Sequence, residues 1–295
     1  MRHTLTADRR AALCALPALL LAPAPSPASS QFDLSWTGPG QYLTNVVDLA
    51  RDATTPPTSM DELVDALQRE GRLPTPQVRA ALRRVDRRAF VPADQRGSAY
   101  EMRPLALSYR TECFTAACDH GKRVADATIS SPSYHAAALE FLYPALSSRP
   151  PNSATVLDVG CGSGYLLAAF AALGARAAHG VEYAPDLAKL AESNLRAHDS
   201  ALLDGGRVTV TTGDGWNGLP AKAPFDAIYV GAAATSVPRA LVDQLRPGGR
   251  MVVPVGKQAS KATLLRVDKD GAGAVSVEPL MAVNFVPLVG SDGDA

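Results

Sequence analysis

Three acidic side chains stand at the ends of short apolar runs, and glycines crowd around two of them. Val156-Leu157-Asp158-Val159 runs into Gly160-Cys161-Gly162-Ser163-Gly164. Ala177-Ala178-His179-Gly180-Val181 ends in Glu182 and Tyr183, and Arg207-Val208-Thr209-Val210-Thr211-Thr212 runs into Gly213-Asp214-Gly215. Strand, glycine turn and helix, in that order, build a nucleotide-type cofactor site in an open α/β sheet. Glycines let the backbone turn sharply and let a ligand lie against main chain where a Cβ would collide. A dinucleotide loop wants its third glycine three positions after the second, beneath a pyrophosphate. Tyr165 holds that position and the third glycine comes early, at Gly164. The spacing therefore suits a ligand without a pyrophosphate. Glu182 lies where a carboxylate can accept both hydroxyls of a ribose, and Asp214 could accept from an adenine amino group. The plainer alternative is a glycine turn, a solvated Glu and a turn Asp that share a domain by chance.

A second segment offers different chemistry. In Ala127-Thr128-Ile129-Ser130-Ser131-Pro132-Ser133-Tyr134-His135, Ser131 reads as an N-cap and Pro132 as the first helical residue. A helix start has free backbone N–H groups and a partial positive charge, so it binds a carboxylate readily. Ser130 stands at that mouth with a hydroxyl able to donate to an anionic oxygen. An ordinary Ser-Ser-Pro cap without a ligand is the competing reading. His135 sits one turn in, where a histidine is more often packed or capping than catalytic. His179 and His198 have no partners that suggest a site.

The chain that must position these groups has 295 residues, 46% of them hydrophobic, with 29 basic against 29 acidic side chains. That is enough for one good-sized α/β domain with a smaller attachment. The balanced charge gives no electrostatic case for nucleic acid or an anionic membrane. Arg83, Arg84, Arg87 and Arg88 form a local basic cluster, read as the wet face of a helix in preference to an anion patch. Of the four cysteines, Cys161 lies inside the glycine turn and is read as a small packing side chain. Cys113 and Cys118 raise a local disulfide or half a metal site, but no His/Cys pair stands at zinc spacing, and two unrelated thiols is the safer reading. No metal site is expected. The first thirty residues place Arg2, His3, Arg9 and Arg10 before the apolar stretch Ala11 to Ala22, with Pro, Ser and Ala following. That stretch is short for a bilayer span and has the length and flank of a signal-peptide core. Secretory targeting, organelle transit and an untargeted leader all stay open.

Residues 1–59 read as leader and linker, 60–153 as an N-terminal helical, substrate-side region with an insert near 105–126, and 154–295 as the cofactor-binding core. Ser59 should cap a helix from Met60 to Glu70, with Glu62 as its capping-box partner and Gly71 as its stop. Thr75-Pro76 opens a second helix through Val85. Strands are predicted at Thr155–Val159, Ala177–Val181, Val208–Thr212, Phe225–Val230, Arg250–Val255, Leu264–Val267 and Ala282–Pro287. Helices are predicted near Gly164–Leu173, Pro185–Ala197 and Pro238–Leu245. Alternation of this kind implies a doubly wound, mostly parallel sheet. The last stretch lacks helical spacing, so the sheet should finish antiparallel.

The three strand ends together resemble the S-adenosylmethionine site of the Rossmann-like class I methyltransferases. The wider pattern resembles the protein-L-isoaspartate (D-aspartate) O-methyltransferase family. The resemblance is carried by Ala127-Thr128-Ile129-Ser130-Ser131-Pro132 with His135 and Ala138-Leu139-Glu140, by Leu157 to Gly164, and by Gly213-Asp214-Gly215. Pro224-Phe225-Asp226-Ala227-Ile228, Val230-Gly231-Ala232-Ala233-Ala234, Val237-Pro238, Leu241 to Arg250 and Pro254-Val255-Gly256 follow in the family's order. Pro279-Leu280-Met281 and Val286-Pro287-Leu288 close it, so coverage runs from about Met60 to Leu288. The glycine loop and the Pro-Gly-Gly turn are common to many methyltransferases. The Thr-Ile-Ser block with Val-Gly-Ala-Ala-Ala is much more specific.

The resemblance implies methyl transfer from S-adenosylmethionine to the free α-carboxylate of L-isoaspartyl, and D-aspartyl, residues in damaged proteins and peptides. It implies Ser130 as the catalytic residue, and Ser130, Ser131 and His135 on the substrate. It implies Ala127, Thr128, Ile129, Ser130, Asp158, Gly160, Gly162, Gly164, Glu182, Tyr183, Asp214 and Gly215 around the cofactor. It further implies a monomer without nucleic acid or stable membrane insertion, cytoplasmic unless the leader directs it to a secretory or organellar compartment. The chain departs from the pattern at Ser133, where eukaryotic members commonly carry histidine. It departs again in the long Leu105–Asp126 segment, in the short end after Leu288 with Val289 in place of a threonine, and in the leader. A class I methyltransferase for a small molecule or RNA, and a non-catalytic cofactor-binding adaptor, are the rival readings.

Overall fold

The structure is a computed structural model and describes residues 56–107, 127–257 and 261–290. The leader, most of the linker, and Cys113 and Cys118 lie outside the described residues.

Helix α1 spans Met60–Arg69 and starts where Ser59 Oγ accepts the Glu62 N–H at 3.2 Å. The returning arm of the capping box is shifted by one residue. The Glu62 carboxylate accepts from the Thr58 N–H at 2.7 Å and the Thr58 hydroxyl at 2.9 Å. Gly71, at φ +70°, ends the helix. Helix α2 spans Pro76–Arg83, short of the predicted Val85. Asp86 then accepts the Arg88 N–H and caps a 3-10 turn at Arg87–Phe90. A second 3-10 turn covers Ala93–Ser98. Strands β1 (Leu105–Ala106) and β2 (Thr128–Ile129) pair as a small antiparallel ribbon, and α3 follows at Pro132–Ser147.

The main sheet is built from β3 (Thr155–Val159), β4 (Ala177–Glu182), β5 (Val208–Thr212), β6 (Phe225–Val230), β7 (Leu245–Val255), β8 (Ala262–Lys269) and β9 (Val275–Val283). Between them lie α4 (Tyr165–Ala172), α5 (Pro185–Asp199), α6 (Ala201–Asp204) and α7 (Arg239–Gln244). The strand order is β5-β4-β3-β6-β7-β8-β9. The first five strands of that order run parallel, and β8 and β9 add antiparallel to the β7 edge, as expected. All residues of β3, β4 and β6 are buried, which suits the middle of a sheet covered on both faces. Leu63, Leu67 and Leu82 of the N-terminal helices share one apolar core with Leu139 of α3 and Phe170 of α4.

Two strands differ from expectation. β7 starts at Leu245 rather than Arg250, because it takes in the Pro247-Gly248-Gly249 turn at an irregularity in its pairing with β6. The last strand is Val275–Val283, not Ala282–Pro287. Pro279 sits in it beside a register shift, which an edge strand tolerates because Pro has no N–H to give the ladder. The predicted apolar run at its end instead leaves the sheet and folds back over the β3 and β6 ends.

Candidate active site

Strand order reverses direction at β3, which has β4 on one side and β6 on the other. In an open α/β sheet that reversal opens a crevice at the carboxyl ends of the strands. Asp158, Val159 and Gly160 lead into it. Gly160 and Gly162 have φ of +72° and +52°, a region that L side chains avoid, and a Cβ on either would meet nothing closer than 3.7 Å. A Cβ would make only ordinary contacts there, so it is the left-handed backbone rather than crowding that calls for glycine at both positions. Gly164, at φ +82°, has a different task. A Cβ there would lie 3.2 Å from Ala191 O and from Leu195, so this glycine lets α4 pack against α5. Cys161 is buried and free, and its Sγ would sit 2.8 Å from a Cβ on Gly180, consistent with a packing role.

Glu182 clamps the loop. Its Oε2 accepts the Gly162 N–H at 3.0 Å and its Oε1 accepts the Ala184 N–H at 3.2 Å, while the Tyr183 backbone N–H also bonds to it. Two carboxylate oxygens offer about four acceptor sites, so capacity remains for a hydroxyl. Burial pushes the Glu182 carboxyl above its ordinary value, although those N–H groups pull it down. Asp158 is more extreme. It is 1% exposed, its Oδ1 has no hydrogen-bond partner, and burial with the nearby Glu182 pushes its pKa up to about 8. A buried acid with an orphaned oxygen is what a cationic ligand would satisfy.

The third acid sits in a turn fixed from two directions. Asp214 Oδ1 accepts the Trp216 N–H at 2.9 Å. Gly215 is buried, and a Cβ there would strike Val159 at 2.7 Å. The segment after β9 straps this turn down. Ala233 N–H donates to Val286 O at 2.8 Å, Leu288 N–H to Ala233 O at 2.7 Å, and Trp216 Nε1–H to Leu288 O at 3.1 Å. Gly290 closes the strap against the Asp214 carboxylate, so closely that any Cβ would overlap it.

The substrate-side segment reaches the same crevice. Leu107 N–H donates to Ala127 O at 2.8 Å, continuing the β1–β2 ribbon, and Leu107 Cδ1 lies 3.7 Å from where a Cβ on Gly162 would stand. Thr128 is exposed and Ile129 is buried. Ser130 is half-buried, and its side chain lies close enough to the Tyr229 hydroxyl to pull that group's pKa down against the burial that raises it. Tyr229 is the Cα partner of Asp158 across the β3–β6 pair. Gly231 continues that seam. Its N–H donates to Val159 O at 2.7 Å, and a Cβ would come within 2.9 Å of Gly160 O. The tip of α3 and the glycine loop are thus neighbours across one seam.

Ser131 caps α3 as expected, accepting the Tyr134 N–H at 3.3 Å, with the buried Ser133 hydroxyl 3.1 Å away. His135 is placed in the core rather than at the mouth. It is 5% exposed, its Nδ1 lies 3.3 Å from Arg87 Nη1, and its ring lies 4.9 Å from the Tyr165 ring. Burial first, and Arg87 second, hold its pKa well below the usual histidine value, so it is neutral.

Arg87 corrects the reading of the basic cluster. Arg83 pairs with Asp61 and Asp65, Arg84 donates to Ala172 O, and Arg88 lies over the Tyr100 ring. Arg87 is fully buried, because the Asp86-capped turn breaks the helical spacing and sends its side chain inward. Sequence reasoning also passed over Tyr229, the one polar aromatic in the apolar run Ala227 to Val230, and the Trp216–Leu288 tie. Among the described residues, no group of three or more His, Cys, Asp or Glu is placed to hold a metal ion. No helix among them is long and apolar enough to cross a membrane.

Comparison with known proteins gives this arrangement its family. Residues 58–293 match the family model described as protein-L-isoaspartate(D-aspartate) O-methyltransferase. An Arabidopsis thaliana protein-L-isoaspartate O-methyltransferase 1 is 39% identical over 229 residues, 77% of this chain and 89% of the relative. An Aeropyrum pernix protein-L-isoaspartate O-methyltransferase is 37% identical over 262 residues, 88% of this chain and 86% of the relative. The fold superposes with a TM-score of 0.63 and 25% identity on a Plasmodium falciparum chain assigned to the same family and crystallised with S-adenosyl-L-homocysteine, covering 79% of this chain and 99% of that one. This chain belongs to the protein-L-isoaspartate(D-aspartate) O-methyltransferase family.

Proposed function

We infer that the protein transfers a methyl group from S-adenosylmethionine to the free α-carboxylate of L-isoaspartyl residues, and of D-aspartyl residues, in damaged proteins and peptides. The observation that carries this reading is the seam from Ser130 through Tyr229 to Asp158, which sets the tip of α3 beside the glycine loop.

When bound, S-adenosylmethionine supplies a methyl on a positively charged sulfur that leaves readily. The residues present fit it: two left-handed glycines in the loop, an acid at the ribose position, and an orphaned buried carboxyl oxygen. Gly160 and Gly162 would bear the ligand against bare backbone, with Asp158, Glu182, Tyr183, Asp214 and Gly215 around it. Gly164 acts one step behind them, in helix packing. Ala127 to Ser130 border the same crevice.

A substrate carboxylate is already ionised at neutral pH, so no general base has to remove a proton. The chain's task is to hold one oxygen in line with the methyl, and close positioning alone can contribute several powers of ten. Ser130 Oγ–H would donate to the other oxygen, with the α3 N-terminus behind it. A neutral hydroxyl suits this better than a lysine, because a full charge in contact would hold the carboxylate back from attack. Ser131 is engaged in capping and supports the tip. The adjacent backbone nitrogen then attacks the ester carbonyl spontaneously, losing its proton and expelling methanol, and water opens the resulting succinimide partly to normal aspartate. The balanced charge favours a peptide substrate over nucleic acid, and the family's habit favours a cytoplasmic monomer.

The test is transfer of labelled methyl to an isoaspartyl peptide and to its normal aspartyl twin. Labelling of the isoaspartyl peptide alone is expected. Equal labelling of both, or transfer only to small molecules or RNA, contradicts the reading. Cofactor binding without transfer would point to an adaptor.

A further inference from the structure

Arg87 is a buried cation without an anion. It is 0% exposed, and among the described residues no carboxylate pairs with it. Nε–H donates to Ala99 O at 2.8 Å, Nη1 faces His135 Nδ1 at 3.3 Å, and Nη2 has no partner. The guanidinium carbon stands 6.0 Å from the centre of the Tyr165 ring. Its pKa is lowered to about 10 by burial, so it stays charged at neutral pH.

Its position is unusual. His135 belongs to the first turn of α3, and Tyr165 is the first residue of α4, directly after Gly164. The charge therefore lies behind two helix N-termini, one beside Ser130 and one at the end of the glycine loop. His135, held neutral with Nδ1 facing a donor, keeps its ring proton on Nε2 and transmits no charge of its own. An unpaired buried cation generally costs stability, and apolar replacements of buried charges are often neutral or stabilising. One bond to Ala99 O does not need a charge. What a charge provides here is a field, weakly screened because the path to the helix tip runs through core and not through water.

We propose that Arg87 is a positioning residue for the substrate carboxylate: from behind His135 its field reinforces the positive end of α3, and so selects an anionic oxygen at Ser130 over a neutral one without touching it. The division of labour follows from the chemistry. A cation in contact would quench the nucleophile, whereas one about a helical turn and a hydrogen bond away, roughly 10 Å, attracts the carboxylate and leaves its oxygen free. The inference rests on the isoaspartyl reading above.

The experiment measures binding of two peptides to protein saturated with S-adenosyl-L-homocysteine, which cannot react. One is an isoaspartyl peptide and the other is its α-amide twin, which lacks the charge. Arg87→Met and Arg87→Gln remove the cation; the second can still donate to Ala99 O. Arg87→Lys keeps the charge. Coulomb attraction at that separation, with an effective dielectric of about 20 to 40, predicts that the neutral variants bind the isoaspartyl peptide about 5- to 15-fold more weakly. Binding of the amide twin should stay within about twofold, and Arg87→Lys should restore most of the loss. Thermal midpoints of the neutral variants should not fall. Equal weakening for both peptides with a lowered midpoint would assign Arg87 a purely structural role and overturn the proposal. Unchanged binding of the charged peptide would overturn it as well. If wild-type protein methylates no isoaspartyl peptide, the functional reading fails first and takes this inference with it; if it does, only Arg87 is in question.

Discussion

The two sides of the crevice are made of different material. On the cofactor side the contacts are backbone: glycine turns at Gly160 and Gly162, and N–H groups of Gly162, Tyr183 and Ala184 gathered on Glu182. On the side proposed for the substrate stand side chains from distant segments: Ser130, Tyr229 from β6, and, buried behind them, His135 and Arg87. The backbone side follows from local sequence and should fail all at once when its clamp is removed. The side-chain side should fail piecemeal, one contact at a time, with the cofactor still bound.

The sharpest way to break that contrast is Glu182→Ala. It releases the N–H groups that hold the loop, and hydrogen bonds to a charged acceptor contribute roughly 1.5–3 kcal/mol each. Calorimetry should show S-adenosyl-L-homocysteine binding weakened by about 100-fold. Near-wild-type affinity would mean that the glycine turns hold their shape without the clamp.

A smaller effect is expected at Asp158. Its carboxyl holds its proton up to about pH 8 when folded, against about pH 4 in an unfolded chain. A raised folded pKa favours the folded state at low pH, and that contribution is lost as pH rises from about 4 to about 8. The ligand-free wild type should therefore lose about 5 °C more of its thermal midpoint between pH 5 and pH 8.5 than Asp158→Asn does. Parallel curves for the two proteins would show that burial does not keep Asp158 protonated in the folded chain.

The smallest effect lies outside both sides. Ser59→Ala removes the α1 N-cap and should cost about 1 kcal/mol, or about 2–4 °C, with methyl transfer unchanged. A loss of activity there would tie α1 to the site.

The same contrast explains what the sequence made legible. Strands β3 and β6 were plain because buried strands are short apolar runs, and Gly160 and Gly231 follow directly at their ends. Residues Gly160, Gly162, Glu182 and Asp214 could be singled out because they follow apolar runs at short, readable spacing. β9 was misplaced because an edge strand carries a weaker pattern, here Ser276, Glu278 and Pro279 among apolar neighbours, while the strap at Val286–Leu288 is apolar for a different reason. Arg87 was misread because its neighbours Arg83, Arg84 and Arg88 do face outward, and only the Asp86 cap turns it in. Tyr229 could not be assigned, since its meaning depends on Ser130 arriving from far along the chain.

The proposed function requires Ser130 to serve the carboxylate and not the cofactor's affinity. The direct test is Ser130→Ala, with kcat/KM for an isoaspartyl peptide and the Kd for S-adenosyl-L-homocysteine measured on the same preparation. Loss of one hydrogen bond to a charged group predicts a fall in kcat/KM of about 10- to 100-fold, with Kd held within about threefold. Unchanged turnover, or a cofactor affinity that falls in step with turnover, would contradict it.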